Sequence, residues 1–284
     1  MQFSERDLLL RLPYRTRDQQ ALVDVGAHTG GFAQPFAMRG WRVIAFEPEP
    51  ANYKDLCDRL EEFANVTCIN KAVSEVCAWG VPFYISEEHW GIHSLKPFHP
   101  THRPTLKVDT VRLDEILSDL QLEQVTVLKI DTEGADFLAL KSFDFSKFQP
   151  EVVMCEFMDV RSQENFGYTH HDMVAYMDSL GYATFVSEWA PIVEYARKGK
   201  PVSHSFLRCV PYPLDHDPSW GNLFFVLSDQ VVQFRKTLSA YLSDLVLSRK
   251  MGGLRSFLEV LPGGMALYRA VSRAHQALVI NPSL

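Results

Sequence analysis

Two short stretches of the sequence, the first rich in glycine, carry acidic residues in a pattern that could hold a small ligand. Asp24 lies two residues before Gly26 in the segment VDVGAHTGG (23–31), and Glu47 follows the apolar run VIAF. A glycine-rich turn after a buried strand commonly binds a nucleotide-like ligand, and an acidic residue about 20 positions later commonly binds the ribose hydroxyls. Glu47 follows Gly26 by 21 residues, so the spacing predicts a ligand that contains a ribose.

The turn lacks the features that a diphosphate needs. In a dinucleotide-binding turn a second glycine lets the backbone approach the pyrophosphate, and His28 occupies that position here. No Gly-Lys-Ser/Thr sequence follows, which argues against a phosphate-binding P-loop. The Asp24 carboxylate would repel a diphosphate but suits a ligand with an amino group. An adenosine ligand with an amine and no phosphate describes S-adenosylmethionine, whose positive sulfonium also suits an acidic pocket.

The elements that must position these residues alternate between short apolar runs and segments of helical period. This alternation is typical of strand–helix–strand units and of a mostly parallel sheet. The predicted strands are 21–25, 41–48, 66–74, 125–131, 150–157, 182–189 and 222–228, and the predicted helices are 30–40, with Thr29 as N-cap, 51–63, 133–143 and 171–181. Because open parallel sheets bind ligands at the carboxyl ends of their strands, the glycine turn, Glu47 and Asp131 are expected at one edge.

Two segments interrupt this alternation. Residues 75–112 are aromatic and rich in histidine and proline, and we expect them to form extended cover rather than a crossover helix. A connection of about 30 residues joins the last two predicted strands, and connections of that length are commonly functional or mobile. Both segments are expected to form walls around an acceptor.

The chain resembles the FkbM-type S-adenosylmethionine-dependent O-methyltransferases over roughly residues 20–160. The resemblance is carried, in the family's order, by LVDVGAHTGGFA (22–33), VIAFEPEPANYKDL (43–56), NKAVS (70–74), GIHSL (91–95), VDTVRLDEIL (108–117), VLKIDTEGADFLALKSF (127–143) and EVVMCEF (151–157). FEPxP and LKIDTEGAD are its most specific motifs. The chain departs from the family's usual residues at His28, Thr29 and His93, and these departures concern the acceptor.

This resemblance implies an α/β fold with a Rossmann-like class I methyltransferase sheet. The sheet would be mostly parallel with one late antiparallel strand, with helices on both faces and a helical C-terminal extension. The implied cofactor is S-adenosylmethionine, the product S-adenosylhomocysteine, and the acceptor a hydroxyl of a sugar, a glycan or a natural product. The candidate cofactor contacts are Asp24, Gly26, Ala27, His28, Gly30, Phe32, Glu47, Pro48, Asn70, Ala72, Ser74 and Asp131.

An alcohol acceptor must lose its proton during methyl transfer, so a general base is expected beside it. Asp131 ends the strand predicted at 125–131, Glu156 ends the next strand, and His93 lies in the histidine-rich insert. We therefore take Asp131, His93 and Glu156 as catalytic candidates.

No metal site is predicted. Four histidines lie within 14 residues, at 89, 93, 99 and 102, but no HExxH motif or cysteine partner accompanies them. A divalent metal shared by Asp131, Glu156 and a histidine is the alternative.

Composition excludes several other classes of protein. The net charge of −7 argues against a non-specific nucleic-acid binder. Five cysteines, an odd number with no CxxC motif, favour reduced thiols in a cytosolic protein. The charged N-terminus predicts no signal peptide, and no stretch is apolar enough to span a membrane. We expect a cytoplasmic enzyme with no nucleic-acid partner.

Charge also divides the chain. Residues 229–284 contain seven Lys and Arg and three Asp and Glu, a net charge of +4, which leaves −11 for residues 1–228. We predict a methyltransferase domain at 1–228 and a helical extension at 229–284, formed by helical segments at 229–250 and 253–279. The apolar stripes of the extension would suit docking on its own subunit or on a second copy as a homodimer, and its arginines would also suit a membrane surface.

Two other functions remain open on the sequence alone. An NAD(P)-dependent oxidoreductase could use a similar sheet, although His28 and Asp24 disfavour a pyrophosphate. A non-catalytic scaffold of the methyltransferase fold could use the extension to bind a partner.

Overall fold

Short β-branched and aromatic runs form the strands, and longer segments with apolar residues on one side form the helices. The computed structural model describes residues 2–15, 18–89, 91–197, 200 and 202–259. The strands are β1 (Ala21–Val25), β2 (Arg42–Phe46), β3 (Val66–Ile69), β4 (Ala72–Val73), β5 (Ala78–Ser86), β6 (His102–Val111), β7 (Val127–Ile130), β8 (Val152–Phe157), β9 (Tyr182–Trp189), β10 (Phe206–Pro211) and β11 (Gly221–Leu227). The helices are α1 (Glu5–Leu9), α2 (Gln34–Ala37), α3 (Pro50–Leu60), α4 (Leu113–Asp119), α5 (Asp136–Lys141), α6 (Asp159–Phe166), α7 (His170–Ser179) and α8 (Val231–Glu259).

The described residues form two compact units. Pro13–Val232 make up the larger unit, and the residues up to Leu12 and from Gln233 onward make up the smaller one. The predicted division at 228/229 stays a prediction. None of the described helices is long and apolar enough to cross a membrane.

The main sheet of the larger unit has the strand order β10-β9-β11-β8-β7-β1-β2-β3 among the described residues. Strands β3, β2, β1, β7 and β8 pair in parallel, β11 runs antiparallel to β8 and β9, and β10 runs antiparallel to β9. The predicted α/β class and mostly parallel sheet are confirmed, but two late strands are antiparallel where one was expected. The strand that the sequence pattern did not indicate is β10, a short edge strand that ends in proline, a residue that sheets accept mainly at their edges.

Both faces of the central strands are buried. On one face Val23 and Val25 of β1 pack in an apolar cluster with residues of α4, α5 and α7. On the other face Leu22 and Asp24 are also fully buried. This arrangement explains why the strands appear in the sequence as short continuous apolar runs.

Residues 75–112 form extended cover, as expected. Strands β4, β6 and β5 make a second sheet, in which β5 and β6 pair antiparallel. The single strand predicted at 66–74 is wrong, because its two halves, β3 and β4, belong to different sheets. After β5 the chain folds back, and Tyr84 and Ser94 exchange backbone hydrogen bonds of 2.8 and 3.1 Å. These bonds hold the loop that carries His93.

The helix predicted at 30–40 needs correction, and helix α6 was missed. The helix predicted at 30–40 is reduced to the short α2, and its N-cap is Ala33 rather than Thr29. Gly30 has a φ of +78°, in the left-handed region, so the helix cannot start before it. Helix α6 was not predicted, because its polar sequence DVRSQENF has no apolar stripe.

In the smaller unit, residues of the first segment of the chain contact α8. Tyr241 of α8 is fully buried, its hydroxyl accepts a hydrogen bond from the Ser4 N–H at 3.1 Å, and Arg11 forms an ion pair with Asp244 at 2.8 Å. The break predicted at 251–253 is wrong, because α8 continues through both glycines there. A helical glycine costs only about 1 kcal/mol. Residues 260–279 of the second predicted segment lie outside the described residues.

Candidate functional site

A cavity of about 290 Å³ opens at the carboxyl edge of the main sheet, where parallel sheets bind ligands. Its walls come from the ends of β1, β2 and β7, from α3 and β4, and from β5 with the loop that follows it. The lining residues are Val25, Gly26, His28, Phe46, Glu47, Pro48, Asn52, Lys71, Ala72, Val73, Phe83, Gly91, His93, Leu95, Asp131, Thr132 and Glu133.

Gly26 lets the turn after β1 pass against the exit of β7. A Cβ on Gly26 would lie 1.8 Å from the backbone oxygen of Asp131, and its φ of +74° also favours glycine. The N–H groups of Gly26 and Ala27 both donate to the Phe46 carbonyl, at 3.0 and 2.9 Å. The turn is thereby fixed to both neighbouring strands.

Glu47 is buried at the end of β2 and is held by the backbone. Its Oε2 accepts a hydrogen bond from the His28 N–H and its Oε1 one from the Glu49 N–H, each at 2.9 Å. Burial raises the pKa of Glu47 to about 7, against these two hydrogen bonds, which lower it. The carboxylate thus has a fixed orientation at the cavity and can accept further hydrogen bonds from ribose hydroxyls.

Asp24 does not line the cavity, and its contact with the ligand stays a prediction. It is fully buried, and its Oδ1 lies 3.0 Å from Nζ of Lys129, its direct neighbour across the β1–β7 pair. Burial lowers the pKa of Lys129, but the attraction of Asp24 and Asp131 outweighs it and raises that pKa above its ordinary value. Lys129 therefore stays charged and neutralises Asp24 beneath the turn.

Lys129 also connects the turn to Asp131. Its Nζ donates to the Gly26 carbonyl at 2.7 Å and lies 3.6 Å from Asp131 Oδ2. The Asp131 side chain is 39% exposed and lines the cavity. Of Asp24 and Asp131, which were both named as candidate contacts, it is Asp131 whose carboxylate faces the cavity at this edge.

A second polar group lies beside Asp131. It consists of three carboxylates, with one oxygen of each within 4.8 Å of one oxygen of the others: Asp131, Glu133 and Glu156. The guanidinium of Arg161, which is almost fully buried, forms ion pairs with Glu133 and, at 3.1 Å, with Glu156. Burial raises the pKa of Glu133 to about 7, and burial together with Glu133 raises that of Glu156. Glu156 itself does not line the cavity.

This acidic group already has its own counter-ion. Arg161 supplies positive charge to Glu133 and Glu156, and Glu156 is one of the ligands that the alternative of a shared divalent metal requires. Among the described residues no histidine completes that group.

His93 lines the cavity, and its hydrogen bond with the Ser86 backbone indicates which ring nitrogen carries the proton. The Ser86 N–H donates to His93 Nδ1 at 3.3 Å. Burial lowers the pKa of His93, so the ring is neutral at pH 7 and has its proton on Nε2. His28 is also neutral, because burial and the neighbouring His93 lower its pKa to about 4. His93 is therefore suited to donate a hydrogen bond at Nε2 rather than to accept a proton there.

The other histidines of the insert pack as rings. His89 and His99 lie 4.9 Å apart between ring centroids, and His99 lies 5.4 Å from Tyr195. Within the described part of the chain these histidines form no group with metal-ligand spacing.

The structure brings about half of the predicted site residues to the cavity. Those that line it are Gly26, His28, Glu47, Pro48, Ala72, His93 and Asp131. Those that do not line it are Asp24, Ala27, Gly30, Phe32, Asn70, Ser74 and Glu156.

Several of the residues that do not line the cavity support it. A Cβ on Gly30 would lie 2.8 Å from Leu56, so this glycine lets α3 pack closely against the turn. Phe32 stacks on Phe36 at 5.6 Å. Asn70 Nδ2 donates to the Glu47 carbonyl at 2.8 Å and thereby fixes the end of β2.

Sequence reasoning missed the other wall residues, which are Val25, Phe46, Asn52, Lys71, Val73, Phe83, Gly91, Leu95, Thr132 and Glu133. Lys71 and Val73 lie inside the segment NKAVS and were within reach of the pattern. Phe83 had no comparable signal, because its position depends on the fold of the second sheet.

The groups around the cavity fit S-adenosylmethionine better than a dinucleotide. Glu47 and Asp131 offer carboxylates for ribose hydroxyls and for an ammonium group, and Phe46, Val73 and Phe83 offer apolar surface for a purine. The cation among the lining residues, Lys71, is paired with Asp109 at 2.6 Å and does not serve a diphosphate.

Comparison with known proteins gives one family. The model described as "Methyltransferase FkbM domain" matches residues 24–184. No curated protein matches the chain.

Three solved structures illustrate the likeness in fold. Precorrin-6y C5,15-methyltransferase from Geobacter metallireducens is 16% identical, with 78% of this chain and 87% of that chain covered and a TM-score of 0.39. An rRNA methylase from Streptococcus thermophilus is 11% identical, with 78% and 93% covered and a TM-score of 0.40. TrmK of M. capricolum, in complex with S-adenosyl-homocysteine, is 10% identical, with 96% and 95% covered and a TM-score of 0.39. With TM-scores below 0.5, these likenesses carry no argument about substrate.

Proposed function

The chain belongs to the FkbM methyltransferase family, whose model covers more than half of it, and we propose that it transfers the methyl group of S-adenosylmethionine to a hydroxyl oxygen. The proposed acceptor is a sugar, a glycan or a natural product. S-adenosylmethionine is the methyl donor of this family, which favours methyl transfer over the alternative of hydride transfer to a nicotinamide.

One observation carries the proposal of an oxygen acceptor. Asp131 presents a half-exposed carboxylate in the cavity, and its position is fixed because Lys129 links it to the glycine turn. A hydroxyl needs a proton acceptor within hydrogen-bond reach during transfer, and a positioned base typically contributes roughly 10²–10⁴-fold. Asp131 meets this requirement, whereas His93 has its Nε2 protonated and Glu156 is bound to Arg161.

The proposed step assigns each residue one task. When bound, S-adenosylmethionine supplies an electrophilic methyl group on a positive sulfur. The sulfur of the cofactor would keep the electron pair of the broken carbon–sulfur bond as the acceptor oxygen takes the methyl group. The Asp131 carboxylate would accept the hydroxyl proton of the acceptor. His93 donates from Nε2 to a second oxygen of the acceptor, and Glu47 holds the ribose. Positioning supplies most of the acceleration.

The charge of the cavity supports an acceptor without negative charge. Glu47 and Asp131 are acidic and line the cavity, and the cation among the lining residues, Lys71, is paired with Asp109. A phosphate or carboxylate beside Asp131 would be repelled, and the apolar surface of Leu95 suits the face of a sugar ring or a polyketide.

Mass spectrometry of an acceptor pool tests this proposal. The pool contains neutral sugars, lipid-linked glycans and polyhydroxylated natural products, and it is incubated with cofactor that carries a deuterated methyl group. We expect a product that gains one labelled methyl on oxygen, located by fragmentation. Products labelled on nitrogen or carbon, or no product from a protein that binds the cofactor, would contradict the proposal, and the second result would favour the non-catalytic scaffold.

Asp131→Asn separates catalysis from binding. The amide keeps the shape of the side chain but cannot take the proton, so we expect kcat to fall by roughly 10²–10⁴-fold. Cofactor affinity should fall by less than kcat does, because the amide oxygen can still accept a hydrogen bond from the ammonium group of the cofactor. Asp58→Asn, which changes an exposed acid of α3, is the control and should leave kcat unchanged.

A further inference from the structure

A second group of metal-type ligands lies at the start of α7, outside the cavity. One ring nitrogen each of His170 and His171 and one carboxylate oxygen of Asp217 lie within 4.8 Å of one another. Asp217 belongs to the connection between β10 and β11, so this group joins two segments that are distant in sequence. We propose that His170, His171 and Asp217 bind a zinc ion, with water as the fourth ligand.

His170 has the environment of a metal-bound histidine. Its side chain is 1% exposed, and its Nδ1 lies 2.6 Å from Asp159 Oδ2 while its backbone N–H donates to Asp159 Oδ1 at 2.7 Å. Metal-bound histidines characteristically give their second ring N–H to a carboxylate, which fixes the tautomer and the ring orientation. This bond leaves the lone pair on Nε2, and no hydrogen-bond partner for that nitrogen occurs among the described residues.

His171 also contacts a side chain through its second ring nitrogen. Its Nδ1 lies 2.8 Å from the Tyr212 hydroxyl, and its Nε2 lies 3.4 Å from Asp217 Oδ1. The two imidazole rings are 3.9 Å apart between centroids, so the two histidines occupy neighbouring positions beside the Asp217 carboxylate. Because His171 and Asp217 are 52% and 86% exposed, both can adjust to the zinc–nitrogen and zinc–oxygen distances of about 2.0–2.2 Å.

The charge around the group favours a cation. The amino end of α7 is the positive end of a helix dipole, but Asp159, Asp172 and Asp217 place three carboxylates around it. No lysine or arginine pairs with Asp159 or Asp217 in the part of the chain that the structure describes. The acidic group in the cavity differs, because Arg161 supplies its positive charge.

The chemical types of the three side chains favour zinc over magnesium and calcium. Two imidazoles and one carboxylate suit zinc, whereas magnesium and calcium prefer oxygen ligands alone. A zinc ion bound here would link the connection between β10 and β11 to the first turn of α7 through coordination bonds. The site is independent of the proposed methyl transfer and is measured without any acceptor.

Zinc titration of the full-length, metal-free protein by calorimetry tests the site. We expect one zinc ion per chain in the wild type, and a loss of affinity of at least 10-fold in His171→Ala and in Asp217→Asn. Asp159→Asn should weaken binding by about 10–100-fold through the orientation of His170. Replacement of His171 and Asp217, which are exposed, avoids the folding defect that a change of the buried His170 could cause.

His216→Ala is the matched control, because His216 is 47% exposed and also contacts carboxylates, those of Asp215 and Glu188. It should bind zinc as the wild type does. Cobalt in place of zinc should give the visible absorption of a four-coordinate site in the wild type and in His216→Ala but not in His171→Ala. An absence of zinc binding in the wild type, or equal binding in His171→Ala, would overturn the proposal.

Discussion

Replacement of Lys129 by methionine should destabilise the protein strongly, because it leaves the Asp24 carboxylate buried without its counter-ion. Asp24 is 0% exposed and Lys129 is 4% exposed, and their charged atoms lie 3.0 Å apart. Removal of one partner of a buried ion pair typically costs about 3–5 kcal/mol. The variant also loses the hydrogen bond from Nζ to the Gly26 carbonyl, so we expect a loss in this range.

A second substitution shows whether the buried charge is the cause. Asp24→Asn removes the charge that Lys129→Met leaves unpaired, and replacement of both members of a buried pair is often nearly neutral. We therefore expect the double variant to recover at least half of the stability that the single variant loses. Lys54→Met is the control, since it removes an exposed lysine that pairs with Asp58 along α3, and it should cause no measurable change.

Urea unfolding of the cofactor-free protein, followed by circular dichroism, measures these differences. The slope with denaturant must stay constant so that a shift in midpoint reports stability. If Lys129→Met stays within about 1 kcal/mol of wild type, or if the double variant is less stable than the single one, the assignment of Lys129 as the counter-ion of Asp24 is wrong.

Three further predictions concern the turn, the ribose carboxylate and the extension. Gly26→Ala should be at least about 2 kcal/mol less stable than Gly40→Ala. Both glycines have a φ near +80°, but only at Gly26 would an added Cβ meet the backbone of Asp131. Equal losses of stability in urea unfolding would contradict this prediction. The pKa of Glu47 is raised from 4.5 to about 7 in the folded protein. The protonated form of Glu47 therefore stabilises the folded protein fully below pH 4.5. This stabilisation is lost as the pH rises through 7, and the free energy of unfolding falls by up to about 3 kcal/mol. Glu47→Gln should flatten this decline in urea unfolding across pH, and an unchanged decline would exclude the assignment. Deletion of residues 229–284 should leave S-adenosylmethionine binding intact in calorimetry, since all lining residues fall between positions 25 and 133; a loss of binding would show that the extension belongs to the catalytic domain.

The sequence predicts those features of the site that depend on local spacing. Gly26 and Glu47 are separated by one strand–helix–strand unit of ordinary length, so their meeting at one sheet edge follows from the pattern alone. The loop of His93 was placed near the acceptor for a similar reason, because its segment interrupts the alternation of strands and helices.

The features that the sequence did not predict depend on partners that are distant in the chain. Asp24 and Lys129 are separated by 105 residues, and only the register of β1 against β7 places them side by side. Arg161 belongs to a helix without an apolar stripe, so nothing in its sequence indicated that it would pair with Glu133 and Glu156. The tautomer of His93 likewise follows from the Ser86 N–H, which only the folded β5 brings within reach.

The hydrogen bonds of Ser94 have a consequence for redesign of the acceptor specificity. Its backbone is bonded to Tyr84, and its Oγ donates to the Glu133 carbonyl at 3.0 Å, so the short loop around His93 is tied both to the second sheet and to the exit of β7. The ribose end of the cavity, at Glu47, is built from other segments. A library that varies only residues 84–95 while retaining Ser94 could therefore change which alcohol is accepted and leave recognition of the methyl donor intact.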